Sequence, residues 1–147
     1  MAQGPGDHPL RQADGYHKIG IATCVALIRE SRTLAKMLRA NGFEVFGVGC
    51  KTGEIFKTAL GIDAAHQGPG PVACNPVLQA QLLNEAGTEL NIVMGLCVGH
   101  DSLFYKHAQA VTTTLVVKDR VLVHNPVMAL YTADGYYANL MEPLEDE

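Results

Sequence analysis

The chain predicts an α/β fold: a three-layer, mostly parallel sheet of about four or five strands flanked by helices, Rossmann-like or flavodoxin-like. Three observations carry this class. Short β-rich apolar runs alternate with longer stretches of helical periodicity, Gly and Asn punctuate the junctions, and four cysteines recur at intervals of about one strand plus one helix.

Folding begins after a polar, Gly- and Pro-rich segment, residues 1–16, which reads as a disordered arm; residues 17–147 read as one α/β metal-binding domain. Lys18-Ile-Gly-Ile-Ala-Thr-Cys24 is the first strand. Val25 to Ala40 places Leu27, Ile28, Leu34, Met37 and Leu38 roughly on one helical face and Arg29, Glu30, Arg32, Lys36 and Arg39 largely on the other, with Asn41-Gly42 closing the helix. Phe43 to Cys50 is the second strand. Lys51 to Leu60 reads as a short helix, and residues 61–71 as turn-forming chain.

Asn75 and Pro76 mark a helix start, because Asn accepts from a free first-turn N–H and Pro at the first helical position lacks a donor the helix does not need. Leu78, Leu82 and Leu83 are its expected buried side, and Gly87 its end. Glu89 to Gly95 is the third strand. Asp101 or Ser102 caps a short helix to about His107, and the β-branched Val111 to Val117 is the fourth strand. Lys118-Asp119-Arg120 reads as a polar break and Val121 to Val123 as a further short strand or a continuation. His124-Asn125-Pro126 repeats the pattern of Cys74-Asn75-Pro76, as if marking a second similar helix start.

In a parallel sheet all strands end on one edge, where ligands of open α/β folds bind. Cys24, Cys50 and Cys97 follow apolar runs and so belong to that edge; Cys74 joins them if its helix starts there. A single buried cysteine is most simply a small hydrophobe, but four at matching topological positions point to one shared site for a soft metal or cluster. His100, Asp101 and His124 lie beside the same strand ends and are the candidate catalytic residues. The bland reading of each is a hydrogen-bonded turn residue or cap. His8, His17, His66 and His107 carry no such argument, and Asp119 and Arg120 read most simply as turn residues, with a catalytic role the lesser reading as for Asp101.

No C-x2-C knuckle is present, which argues against a zinc finger, while Gly-rich turns around Cys50 and Cys97 offer N–H donors suited to an iron–sulfur cluster. The expected cofactor is therefore an iron–sulfur cluster of the 4Fe-4S type, with structural or storage zinc as the alternative. With three cysteine ligands one iron stays open for a small substrate; with four the centre is closed and serves storage, sensing or electron transfer to a redox partner.

The 147 residues, 48% hydrophobic and 18% charged with a formal charge of −4, describe a globular protein with no electrostatic bias toward nucleic acid or anionic membrane. The amino terminus lacks the apolar core of a secretory signal and no run is long enough to span a bilayer, so the expected location is the cytoplasm, where cysteines remain thiols. Tyr136, Tyr137 and Leu140 in the tail offer surface for a homodimer or for packing back on the domain.

The chain resembles an uncharacterised prokaryotic family described as predicted metal-binding, a domain of unknown function. The likeness runs over Cys74-Asn-Pro-Val-Leu-Gln-Ala80, Leu83-Asn84, Asn91, Gly95-Leu-Cys-Val-Gly-His-Asp101, Leu103-Phe104, Val111 to Val121 and His124-Asn-Pro-Val-Met-Ala-Leu-Tyr131. It implies a cysteine-based metal site, matched here by Cys24, Cys50, Cys74 and Cys97, and no established reaction. Many members carry a further cysteine-rich segment before the first strand, which is absent from this amino terminus. A looser likeness, in topology alone, is to iron–sulfur desulfidases of thiolated nucleobases, which implies a lyase-like enzyme as a further alternative.

Overall fold

The computed structural model describes residues 15–53 and 73–142, apart from the Leu140 side chain. All but the last two residues of the disordered arm expected over 1–16, most of the helix expected over 51–60 and the turn-forming chain expected over 61–71 therefore lie outside the described residues.

Four strands, β1 (Lys18–Thr23), β2 (Glu44–Gly49), β3 (Leu90–Met94) and β4 (Val111–Val116), form one all-parallel sheet in the order β2-β1-β3-β4. This is the flavodoxin-like order over four strands. Helix α1 (Ile28–Ala40), preceded by a 3₁₀ turn at Val25–Leu27, joins β1 to β2; α2 (Pro76–Ala86) leads into β3, α3 (His100–His107) joins β3 to β4, and α4 (Val127–Tyr131) follows β4. The predicted α/β class is thus the observed one. Strand alternation makes two cores. Ile19, Ile21, Val45, Ile92 and Met94 pack with Ala35 and Leu38 of α1 on one face, while Ala22, Cys24, Cys50 and Val93 pack with Ala80, Leu83 and Phe104 of α2 and α3 on the other. Among the described residues no helix is long and apolar enough to cross a membrane.

The caps show why the helices begin and end where they do. Asn75 Oδ1 accepts from Leu78 N at 2.9 Å with Pro76 at the first helical position, and Gly87 ends α2 in the left-handed conformation at φ 70°. The buried side of α2 differs from expectation: Gln79, Ala80 and Leu83 face the core, while Leu78 and Leu82 are half-buried. Gln79 is drawn in because its Nε2 donates to Thr23 O at 3.2 Å and Val48 O at 2.9 Å, tying together the ends of β1 and β2.

Three further readings are corrected. The cap of α3 is Gly99, at φ 91°, rather than Asp101 or Ser102; Asp101 sits in the first turn, where its carboxylate accepts from Gly99 N at 3.0 Å and Ser102 N at 2.8 Å. Val121 to Val123 is a turn, because Asp119 Oδ1 captures the N–H groups of Val121 and Leu122 at 2.9 and 3.0 Å and Asp119 O accepts from His124 N at 2.8 Å. The two similar helix starts are not equivalent: Pro126, not Asn125, caps α4, and no side chain completes that cap.

Candidate thiolate site

Each strand delivers one residue to the carboxyl edge of the sheet. Cys24 follows β1 directly, Cys50 follows β2, Cys97 lies in the turn after β3 and Lys118 lies just past β4. The fifth member, Cys74, stands before α2 and is held at the same edge by the bond from Asn75 N to Cys50 O at 2.6 Å. The chain leaves β1 toward β2 and later returns to β3 on its other side, so the β1/β3 boundary is the topological switch point of the sheet, and Cys24 and Cys97 flank it.

The sulfurs and the ammonium approach one another in pairs. Cys74 Sγ is 3.8 Å from Cys50 Sγ, and Lys118 Nζ lies 2.8 Å from Cys24 Sγ and 3.3 Å from Cys97 Sγ. Cys24 and Cys50 are buried, Cys74 and Cys97 partly so, and none is in a disulfide. Lys118 is only 7% exposed. Burying an ammonium is costly unless an anion accompanies it, and here sulfur supplies the partner.

Protons are unevenly shared among these groups. The hydrogen bond from Cys50, followed by the hydrogen bond and charge of Lys118 and a backbone N–H from Ala26, outweighs burial and brings the Cys24 thiol down to about 4. Cys50 moves the other way, because it gives its hydrogen to Cys24 and is itself buried; a backbone N–H from Val25 offsets this only in part. Burial works against the charge on Lys118, but its bonds to Cys24 and Cys97 prevail and raise its pKa. Within the Cys24/Cys50 pair these causes favour the thiolate at Cys24 and the protonated thiol at Cys50.

The turns around the sulfurs are built for this approach. Gly95 adopts φ 70°, and a Cβ there would collide with the Leu27 side chain and stand 3.7 Å from Lys118 Cβ. Gly95 N also donates to Val116 O at 2.8 Å, fixing the end of β3 against that of β4. Cys97 O accepts from His100 N and Asp101 N at 2.9 and 3.1 Å, locking the cysteine to the start of α3.

The structure therefore brings the four predicted cysteines to one rim. Asp101 is occupied in the first turn of α3, His100 opens that helix half-buried, and His124 Nδ1 accepts from Asp119 N at 3.1 Å in the turn after β4. Lys118 is the site residue that sequence reasoning missed. It was legible by the same positional rule as the cysteines, a polar residue just beyond a strand end, but it read as part of a break between strands. Among the described residues, no group of three or more His, Cys, Asp and Glu side chains is drawn close enough together to grip a metal ion as it stands.

Comparison with known proteins places this chain in a family. Residues 10–115 match the family described as Protein of unknown function (DUF1847). The chain is 50% identical over 127 residues to Uncharacterized protein MJ0455 of Methanocaldococcus jannaschii, an alignment covering 86% of this chain and 65% of that relative, so this chain spans just under two thirds of the relative's length. No solved structure matches it. The chain belongs to the DUF1847 family.

Proposed function

We propose that the carboxyl edge of the sheet is a thiolate centre for a soft metal, either an iron–sulfur cluster or zinc, held by Cys24, Cys50, Cys74 and Cys97 with Lys118 as built-in countercharge. The observation that carries this reading is the convergence of four cysteines from four separated segments on one sheet edge, two of them, Cys24 and Cys97, in contact with a buried ammonium. The donor set suits the group. Several thiolates around one divalent metal or cluster leave a net negative charge, which Lys118 is placed to offset, and the backbone N–H groups of Ala26 and Val25 favour the charged form of Cys24 and Cys50 respectively.

The 3.8 Å between the Cys50 and Cys74 sulfurs is close to the edge of a tetrahedron built on Zn–S bonds of about 2.3 Å. A cubane spreads its cysteine sulfurs wider, so it requires Cys50 and Cys74 to part. Either group requires Cys24 and Cys97 to turn from Lys118 for all four sulfurs to engage. Once bound, the group supplies electron transfer or Lewis-acid chemistry. The chain would bind and orient it, exclude water with the buried Cys24 and Cys50, and in a three-ligand form offer His100 or His124 as proton donor to a small substrate, Asp101 being occupied as an acceptor in the first turn of α3.

Anaerobic purification followed by iron, sulfide and zinc analysis, with absorption and EPR spectra, tests the reading, and single Cys→Ser variants then count ligands. Stoichiometric metal lost in those variants supports it. A colourless, metal-free protein that also fails to take up zinc or a reconstituted cluster overturns it. In that event a second reading stands, a metal-free reactive thiol site, favoured by the 2.8 Å contact between Lys118 and Cys24.

A further inference from the structure

A second feature lies on the other face of the sheet from the core that holds Cys24 and Cys50. Along α1, Arg32, Lys36 and Arg39 stand one and two turns apart and so share one side of the helix. Opposite them runs β2, an edge strand reading Glu44-Val-Phe-Gly-Val-Gly49. Alternation turns Val45, Gly47 and Gly49 toward α1; Val45 is buried in the core, but the two glycines present no side chain, and a Cβ built on either meets nothing within 4 Å. Their register partners on β1 are Ile21 and Thr23. The outcome is a cavity of about 330 Å³ between the helix and the bare end of the strand.

Its chemistry is divided. Ile21 and Ile28 provide apolar wall, the hydroxyls of Thr23 and Ser31 lie at the base joined at 2.7 Å, and the three cations of α1 complete the lining. Arg39 Nη2 donates to Val45 O at 2.9 Å, which fixes that guanidinium beside the strand. Among the described residues Arg32 and Lys36 show no ion-pair partner. Like charges one turn apart repel and weaken a helix, and a row of three in a chain of net charge −4 is compensated when an anion sits against it.

We propose that this cavity binds a small organic phosphate: a dianion with enough oxygens for the arginine forks, carried on a compact apolar body. Forked guanidinium groups match phosphate oxygens, and the volume lies at the small end of ligand pockets. None of the four cysteines lines this cavity, so its test reads binding without reference to metal content.

The test is a titration of the ¹⁵N-labelled full chain with phenyl phosphate, with phenol and inorganic phosphate as controls. Saturable shifts at the Gly47 and Gly49 amides and along α1, with each control binding at least about tenfold more weakly, support the proposal. The doubly substituted Arg32→Gln, Lys36→Gln chain is expected to lose about tenfold or more in affinity, and Gly47→Leu, which fills open space on an edge strand, to abolish binding. The double variant alters only exposed side chains, so it decides the matter even if Gly47→Leu fails to fold. Absence of saturable binding by phenyl phosphate, or equal affinity in the double variant, overturns the proposal; phenol binding as tightly overturns the anionic class, and inorganic phosphate binding as tightly overturns the organic one.

Discussion

Lys118 Nζ touches Cys24 Sγ at 2.8 Å although the two residues follow strands that are not neighbours, β4 and β1, with the end of β3 between them. The lysine stem crosses that gap past Gly95, and its ammonium also reaches Cys97 at 3.3 Å. One buried cation thereby links three strand ends.

Replacing Lys118 by Met removes a hydrogen bond and a charge that both favour the Cys24 thiolate. Its pKa is expected to rise, but not to the ordinary thiol value, because the hydrogen bond from Cys50 is the larger cause and persists. Alkylation of Cys24 by iodoacetamide at pH 6 should slow; about tenfold corresponds to each unit of rise that brings the thiol above the assay pH. Cys50→Ala should raise it further. Rates measured against pH, with peptide mapping to identify Cys24, check both.

The same thiolate sets a pH dependence of stability. Cys24 has a folded pKa near 4 against an ordinary value of 9.0, so its contribution is fully present above pH 9 and is lost as pH falls toward 4. Cys50 is shifted upward, so its contribution is present below the ordinary thiol pKa and fades as pH climbs past it. The urea midpoint of the metal-free protein should therefore increase from pH 5 to 8, more steeply than in Cys24→Ser. Parallel curves for the two proteins would contradict the assignment of the proton to Cys50.

Gly95→Ala places a Cβ against Leu27 at a backbone position with φ 70°. The expected cost is about 1–3 kcal/mol, the range for a non-glycine residue held in that region. The change also displaces the turn that leads to Cys97, so metal uptake should fall together with the midpoint of chemical denaturation. Gly87→Ala, equally left-handed but with open space around it, should lower stability without affecting metal uptake.

Gln79→Leu tests the clamp beneath the cysteines. The amide is fully buried and donates to Thr23 O and Val48 O, one on each strand that ends in a buried cysteine. Leaving both carbonyls without this donor is expected to cost about 1–3 kcal/mol. Equilibrium denaturation reads the loss, and an altered alkylation rate at Cys24 reads the displacement of the strand ends.

Much of the architecture was legible in local patterns. Val, Ile and Thr runs identified the strands, and Asn75-Pro76 and Gly87 bounded α2 because capping depends on residues within one turn. What failed was local as well, but contested: Val121 to Val123 has strand composition, yet the Asp119 carboxylate competes for its N–H groups and closes a turn. The burial of Gln79 has no local signal, since its acceptors lie on two strands distant in sequence.

The amino-acid sequence alone determined the α/β class and the placement of the cysteines at strand ends, because strand and helix lengths repeat and a parallel sheet aligns every strand's exit on one edge. Only the tertiary structure decided that Lys118 stands against Cys24 and Cys97 and that this contact favours the thiolate at Cys24. Both depend on the order β2-β1-β3-β4, which sets the strand ends side by side, and on burial, which makes an ammonium and a thiolate seek each other.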